Sequence, residues 1–349
     1  MIDNQFYGHA VHGDYELFNL GNFELEGGGN LRNCEIAFRT VGTLNEDKSN
    51  AILFPHMYSG SSMHMEAFYV APGMALDPNK YFIILPNMIG AGLSTSPHNS
   101  PLPFNGSAFP EVSIGDDVIA QHRLITEKFG IEVLQLVLGW SMGAQQTYEW
   151  AVRYPKMVKR IAPIAGTAQC TPHGSLFTNV VADAIKSDPA WNNGFYTEPN
   201  AVHAGLRRHA RAFAMMGLST EFYKQRSWTD VGCTSLEDFL VGFWENWFLP
   251  MDPNNLLCSL SKWKHSDVAK ITGGDMSKAL GSITAKTCVI AFEDDMMFPV
   301  RDCRADQEMI RGSELKVLPS LWGHFSMLGI IPAEKKQIDE TLKSLLAEN

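Results

Sequence analysis

The chain has 349 residues, 45% of them hydrophobic and 19% charged, and a formal net charge of −10. That size and composition suit a globular protein built as one large α/β domain with an insertion, or as two domains. The negative charge argues against nucleic acid or an anionic membrane as partner. Six cysteines (Cys34, Cys170, Cys233, Cys258, Cys288 and Cys303) form no C-x-x-C pair, which fits free thiols in a reducing compartment. The N-terminal stretch carries neither a basic start nor an apolar core, so no signal peptide is expected. No apolar segment reaches membrane-spanning length, and the expected location is the cytoplasm.

In chain order, residues 15–42 alternate short apolar runs with Gly and Asn turns, the pattern of antiparallel strands leading into a sheet. Ala51–Pro55 reads as the first buried strand and runs into the polar loop His56-Met57-Tyr58-Ser59-Gly60. Tyr81–Pro86 is another buried strand, followed by a Gly/Ser/Pro-rich loop. The glycines of that loop do not fit G-x-G-x-x-G with a suitably spaced acid, and no P-loop lysine is present, so no nucleotide cofactor is expected. Ser113 is placed to cap a helix that carries Ile114, Val118 and Ile125 on one side, with Asp116 in its first turn. A buried strand over Leu134–Leu138, a helix from Met142 to Arg153 and a strand at Arg160–Ile164 follow. From 169 to 276 strand-like runs vanish, and Met, Trp, Phe and Arg recur at helical spacing. The sheet resumes at Lys286–Ala291 and Glu314–Leu318, and an amphipathic helix closes the chain. This order predicts an α/β fold: a mostly parallel twisted sheet with helices on both faces. Its core would comprise 1–168 and 277–349, with 169–276 as a helical lid.

The chemistry centres on Gly139-Trp140-Ser141-Met142-Gly143, a G-x-S-x-G between a strand and a helix. Strand, sharp glycine-flanked turn and helix form the setting in which a serine is exposed as a nucleophile. Side chains at the flanking positions would clash with neighbouring elements. The Met142 N–H then lies at a helix start, where it can face a developing negative charge. A second such N–H is expected from the strand-to-helix loop after Ala51–Pro55, with Met57 and Tyr58 as candidates. His56 in the same loop reads as a histidine that orders the loop, because a better-placed base appears later. After Lys286–Ala291 come Asp294 and Asp295; neighbours on an extended loop point apart, so only one can face inward. After Glu314–Leu318 comes Gly323-His324. A serine hydroxyl needs a base to take its proton, and the imidazole needs a carboxylate to hold one tautomer. Ser141, an aspartate and His324 supply these in order, each just beyond a strand. The histidines are otherwise dispersed and no H-E-x-x-H occurs, so no metal is expected.

Over nearly its whole length the chain resembles the homoserine O-acetyltransferase family of α/β-hydrolases. The likeness rests on Gly139–Gly143 with Glu149-Trp150-Ala151 and Tyr154-Pro155 behind it, on His56–Gly60, on Pro86-Asn87 with Gly90, and on Phe109-Pro110 through Ala120-Gln121. Asp295-Met296-Met297-Phe298-Pro299 is similar to the family's D-x-L-F-P, which favours Asp295 over Asp294, and Gly323-His324 is similar to its histidine motif. The resemblance implies a triad of Ser141, Asp295 and His324, oxyanion donors at Tyr58 and Met142, no cofactor, and a homodimer through the lid helices.

Two departures bear on the substrate. Where the transacetylases carry an arginine for the substrate carboxylate, this chain reads Val181-Ala182-Asp183-Ala184-Ile185, and where they place an aspartate after the catalytic histidine, Phe325 stands. Charge-assisted contacts of this kind are worth about 1.5–3 kcal/mol each. Losing both would weaken selection of homoserine by roughly two to four powers of ten if they add. Arg207 and Arg211 in the lid are the candidates to compensate. Met57, Trp140, Arg211 and Phe325 are the expected substrate-contacting positions. The leading expectation is a carboxylic-ester hydrolase acting on small acetate esters. The alternatives are acetyl transfer from acetyl-CoA to an alcohol such as homoserine, and a catalytically silent scaffold.

Overall fold

The computed structural model describes residues 3–347. Eight strands form a single sheet: β1 (Glu16–Glu24), β2 (Asn30–Val41), β3 (Ala51–Leu53), β4 (Phe82–Pro86), β5 (Leu136–Trp140), β6 (Arg160–Ile164), β7 (Lys286–Phe292) and β8 (Glu314–Leu318). Their order is β1-β2-β4-β3-β5-β6-β7-β8. β1 and β2 pair antiparallel, as does β2 with β4, and the remaining pairs are parallel. The central strands β3, β4 and β5 are buried along their whole length, because helices cover both faces and no position can afford polarity.

Alternation along the strands divides the core into two layers. Leu53, Val137 and Ile161 pack with Val118 of α2 (Ile114–Arg123), with Leu124 just past its end, and with Tyr148 and Trp150 of α3 (Met142–Arg153). Ile52, Leu136 and Leu138 face the other way, onto Met65 and Tyr69 of α1 (Ser62–Tyr69) and onto Ile338 and Leu342 of the last helix. The Ser113 cap forms as expected: its hydroxyl accepts the Asp116 N–H at 3.0 Å, and the Asp116 carboxylate accepts the Ser113 N–H at 2.8 Å.

The chain leaves the sheet after Ile164 and returns at Lys286. Between them lie α4 (Pro172–Lys186), α5 (His203–Gly217) and α6 (Pro253–Lys264), with shorter helical turns. Their apolar faces form one cluster with Tyr58, Met142, Phe298 and Trp322, residues that lie just past strand ends. The insertion therefore covers the C-terminal edge of the sheet. It is anchored there by a fully buried ion pair: Lys262 Nζ lies 2.6 Å from Asp117 Oδ2 and donates to the Ile89 carbonyl at 2.6 Å. Among the described residues no helix is long and apolar enough to cross a membrane.

Candidate active site

Ser141 joins β5 to α3 with φ 60° and ψ −120°, a conformation a residue with a side chain holds only under surrounding constraint. The constraint is close packing. A Cβ on Gly139 would stand 2.2 Å from the Gly143 carbonyl oxygen, and one on Gly143 would stand 2.6 Å from the Pro55 carbonyl oxygen. Both flanking positions of the turn must be glycine. The Ser141 N–H donates to the Ile164 carbonyl at 2.9 Å, tying the turn to β6. Met142 is the first residue of α3, so its N–H has no partner within the helix.

Of the two adjacent aspartates, Asp294 is exposed and Asp295 buried. Asp295 Oδ1 accepts the N–H groups of Met297 (2.8 Å) and Phe298 (2.9 Å), while Oδ2 lies 2.7 Å from His324 Nδ1. These bonds fix the carboxylate's rotation and hold the Nδ1–H tautomer of His324, which directs the Nε2 lone pair away from Asp295. The His324 ring lies between Phe298, stacked at 5.4 Å, and Trp140, at 5.3 Å, beside the serine turn. Gly323 has φ 53°, and a Cβ there would meet the Ser219 nitrogen at 2.9 Å, so the histidine turn is also pressed against the insertion.

In the loop after β3, the buried His56 ring bonds at both nitrogens: Nε2 accepts the Met88 N–H at 3.0 Å, and Nδ1 donates to the Met57 carbonyl at 2.7 Å. Burial pushes its pKa down to about 3, so it is a neutral fixture of the loop. Met57 is buried, with its sulfur where a Cβ of Gly60 would fall. The Tyr58 ring stacks on Phe213 of α5 at 5.2 Å, and its hydroxyl donates to His209 Nε2 at 3.2 Å. His209 accepts there because its Nδ1 donates to the Val181 carbonyl at 2.9 Å; burial lowers its pKa to about 4. Trp247 Nε1 donates to Ser59 Oγ at 3.0 Å.

Trp140, Asp295 and His324 thus meet, with Ser141 next to Trp140 in the chain, and Phe325 packs edge-on against Trp140 (5.6 Å) and Trp244 (4.8 Å). Arg211 is tied elsewhere: its Nε lies 2.8 Å from Glu245 Oε1, and its guanidinium also bonds Glu237. Arg207 bonds the same buried Glu245. His209 and Trp247 carry no local sequence signal, because their partners are distant in the chain. Among the described residues no group of three or more His, Cys, Asp or Glu is arranged to hold a metal ion.

The family profile described as alpha/beta hydrolase fold matches residues 50–329. An ethyl acetate hydrolase of Pseudomonas veronii is 49% identical over 344 residues, 99% of each chain. The solved structure of an acetylester hydrolase from Corynebacterium glutamicum superposes with a TM-score of 0.98 at 49% identity, covering 100% of both chains. A homoserine O-acetyltransferase of Leptospira meyeri is 33% identical over 84% of this chain and 82% of its own.

Proposed function

The chain belongs to the α/β-hydrolase family, and from that premise we propose that it hydrolyses small, uncharged acetate esters through an acyl-enzyme, with Ser141, His324 and Asp295 as the catalytic triad. The observation that carries this reading is the 2.7 Å bond from His324 Nδ1 to a doubly anchored Asp295, beside the strained turn of Ser141. In this mechanism His324 Nε2 takes the Ser141 proton as Oγ attacks the ester carbonyl. The N–H groups of Tyr58 and Met142 hold the oxyanion. The alcohol leaves with the proton from His324, and a water deprotonated by the same nitrogen releases acetate. The segment 169–276 serves as a lid whose aromatic underside restricts the site to small groups.

The same acyl-enzyme could pass its acetyl group to homoserine, the activity named for the more distant relative. Water is favoured as the acceptor because Arg207 and Arg211 are engaged by Glu245 and Phe325 stands among tryptophans. A zwitterionic amino acid needs charged partners. The exposed Leu176 and Val180, one turn apart on α4, support a homodimer through the lid, which sedimentation measures.

The test is product analysis with p-nitrophenyl acetate, with and without excess homoserine, alongside Ser141→Ala. Free acetate in both wild-type reactions and no turnover by the variant are expected. O-acetylhomoserine as the main product would replace hydrolysis by transfer.

A further inference from the structure

A chain of buried side-chain amides runs from the middle of α3 to the backbone on both sides of the proposed oxyanion hole. Trp150 Nε1 donates to Gln121 Oε1 at 2.8 Å, and Gln121 Nε2 donates to Gln146 Oε1 at 2.6 Å. Gln146 Nε2 then reaches two carbonyls, His56 at 3.2 Å and Met142 at 3.3 Å. Gln121 and Gln146 have no solvent exposure. The direction of the chain is set by chemistry: an indole N–H can only donate, so Gln121 must turn its oxygen to Trp150 and its NH2 to Gln146. Gln146 must then present its own NH2 to the two carbonyls.

Those carbonyls belong to the two halves of the hole. Met142 opens α3 directly after the nucleophile. The His56 carbonyl starts the two-peptide run that ends at the Tyr58 N–H. The next carbonyl in that run, of Met57, is held by the His56 ring itself. Both peptides ahead of the Tyr58 N–H are therefore pinned, one by Gln146 and one by His56. Gly143 allows the approach, since a Cβ there would meet the Pro55 oxygen at 2.6 Å and the His56 oxygen at 3.4 Å. The amide at 146 also accepts from Gln121, so removing it strands that buried NH2 as well. An apolar side chain would fill the space but would leave the loop and the elbow joined by packing alone.

We propose that Gln146, polarised by Gln121 and Trp150, is a positioning residue that sets the distance between the two oxyanion donors, Tyr58 N–H and Met142 N–H. This rests on the ester-hydrolase reading above. A donor displaced from the oxyanion weakens transition-state binding and leaves ground-state binding nearly unchanged.

The experiment compares wild type with Gln146→Met, which keeps length and removes the donor. The probes are turnover of p-nitrophenyl acetate, inhibition by trifluoroacetone, and inhibition by butanone. Trifluoroacetone forms a tetrahedral adduct: a bond forms from Ser141 Oγ to the carbonyl carbon, the π pair moves to oxygen as an alkoxide in the hole, and the serine proton passes to His324. Butanone binds only as the intact ketone. The expected result is a fall in kcat/KM on the order of 10–100-fold, a matching loss of trifluoroacetone affinity, and butanone inhibition within a factor of about three. Should Gln146→Met not fold, Gln121→Met removes the group that orients the amide and leaves Gln146 in place; its losses run in the same direction and are smaller. Trifluoroacetone affinity equal to wild type in a folded variant, or equal loss for both ketones, overturns the proposal. Turnover surviving in Ser141→Ala would instead overturn the reading of the site itself.

Discussion

Replacing Asp295 by asparagine isolates what the carboxylate contributes. Asp295 Oδ1 accepts the Met297 and Phe298 N–H groups, at 2.8 and 2.9 Å, and these two donors require an oxygen opposite them. The asparagine carbonyl must therefore stay there, which turns its NH2 toward His324 Nδ1, where Oδ2 now sits at 2.7 Å. Facing a donor, Nδ1 must become the acceptor, so the ring proton moves to Nε2 and the base that should deprotonate Ser141 is lost. The corresponding substitution in the chymotrypsin-class triad lowers kcat by about 10⁴, which equals about 5.5 kcal/mol of barrier. We expect Asp295→Asn to lose between about 10³ and 10⁴ in kcat for p-nitrophenyl acetate at pH 7. Its melting temperature should stay near wild type, because the new side chain matches the old in shape and in hydrogen bonds. Asp294→Asn, at an exposed neighbour, should keep full activity. A folded Asp295→Asn within tenfold of wild-type kcat would refute the tautomer argument.

Three further outcomes follow from the packing and the buried charges. Gly143→Ala places a Cβ 2.6 Å from the Pro55 carbonyl, so it should destabilise the fold by about 1–3 kcal/mol and lower kcat at least tenfold; a wild-type urea midpoint with wild-type kcat would contradict this. Burial holds His12, His64, His98 and His209 down at about 4 and His56 at about 3, whereas Asp117 and Asp306 are raised to about 6 and 7. Below pH 6.5 the unfolded chain binds protons at these histidines that the folded protein refuses, and the two carboxylates act in the opposite sense. At pH 5 these seven groups together bind about three more protons in the unfolded chain than in the folded one, partly offset by the raised carboxyls of Glu149, Asp252 and Glu334, so stability should fall on acidification from 6.5 toward 4; a melting temperature that is flat or rises between pH 7 and 5 would exclude it. Lys262→Met strands Asp117 in the core and should cost about 3–5 kcal/mol by urea unfolding at pH 8. The loss should be smaller at pH 5, where Asp117 is protonated, and Lys262→Met with Asp117→Leu should recover most of it; a loss under about 1 kcal/mol at pH 8 would show that the pair anchors little.

The parts of the site readable in the sequence are those whose causes are local. Gly139 is dictated by backbone four residues away, whereas Gly143 answers to the distant Pro55 carbonyl and is legible only as part of G-x-S-x-G; strands buried on both faces leave continuous apolar runs such as Phe82–Pro86. Choosing Asp295 over Asp294 required the resemblance, because the deciding contacts, the N–H groups of Met297 and Phe298, belong to a turn that only the fold reveals. Arg211 marks the limit. As a residue it is a free cation able to meet a carboxylate, and nothing nearby in the chain shows that Glu237 and Glu245 occupy it. Gln146 lies within a helix legible to the residue, yet its partners come from Gln121 and from the loop at His56.

The insertion's contacts bear on how substrate enters. Lifting it as one body would break the Tyr58–His209 and Trp247–Ser59 bonds and the buried Lys262–Asp117 pair. At about 1 kcal/mol for each neutral bond and about 3–5 for separating the pair, these polar contacts alone put the open form at least about 5–7 kcal/mol above the closed one, before the shared apolar cluster is exposed. That leaves at most roughly one molecule in five thousand open. Opening would also remove His209 from Tyr58, whose backbone N–H is one of the two proposed oxyanion donors. An enzyme that had to lift this cover at each turnover would dismantle part of its own hole. Entry by smaller side-chain motions avoids that cost, and such a route would admit small, neutral molecules and exclude long chains.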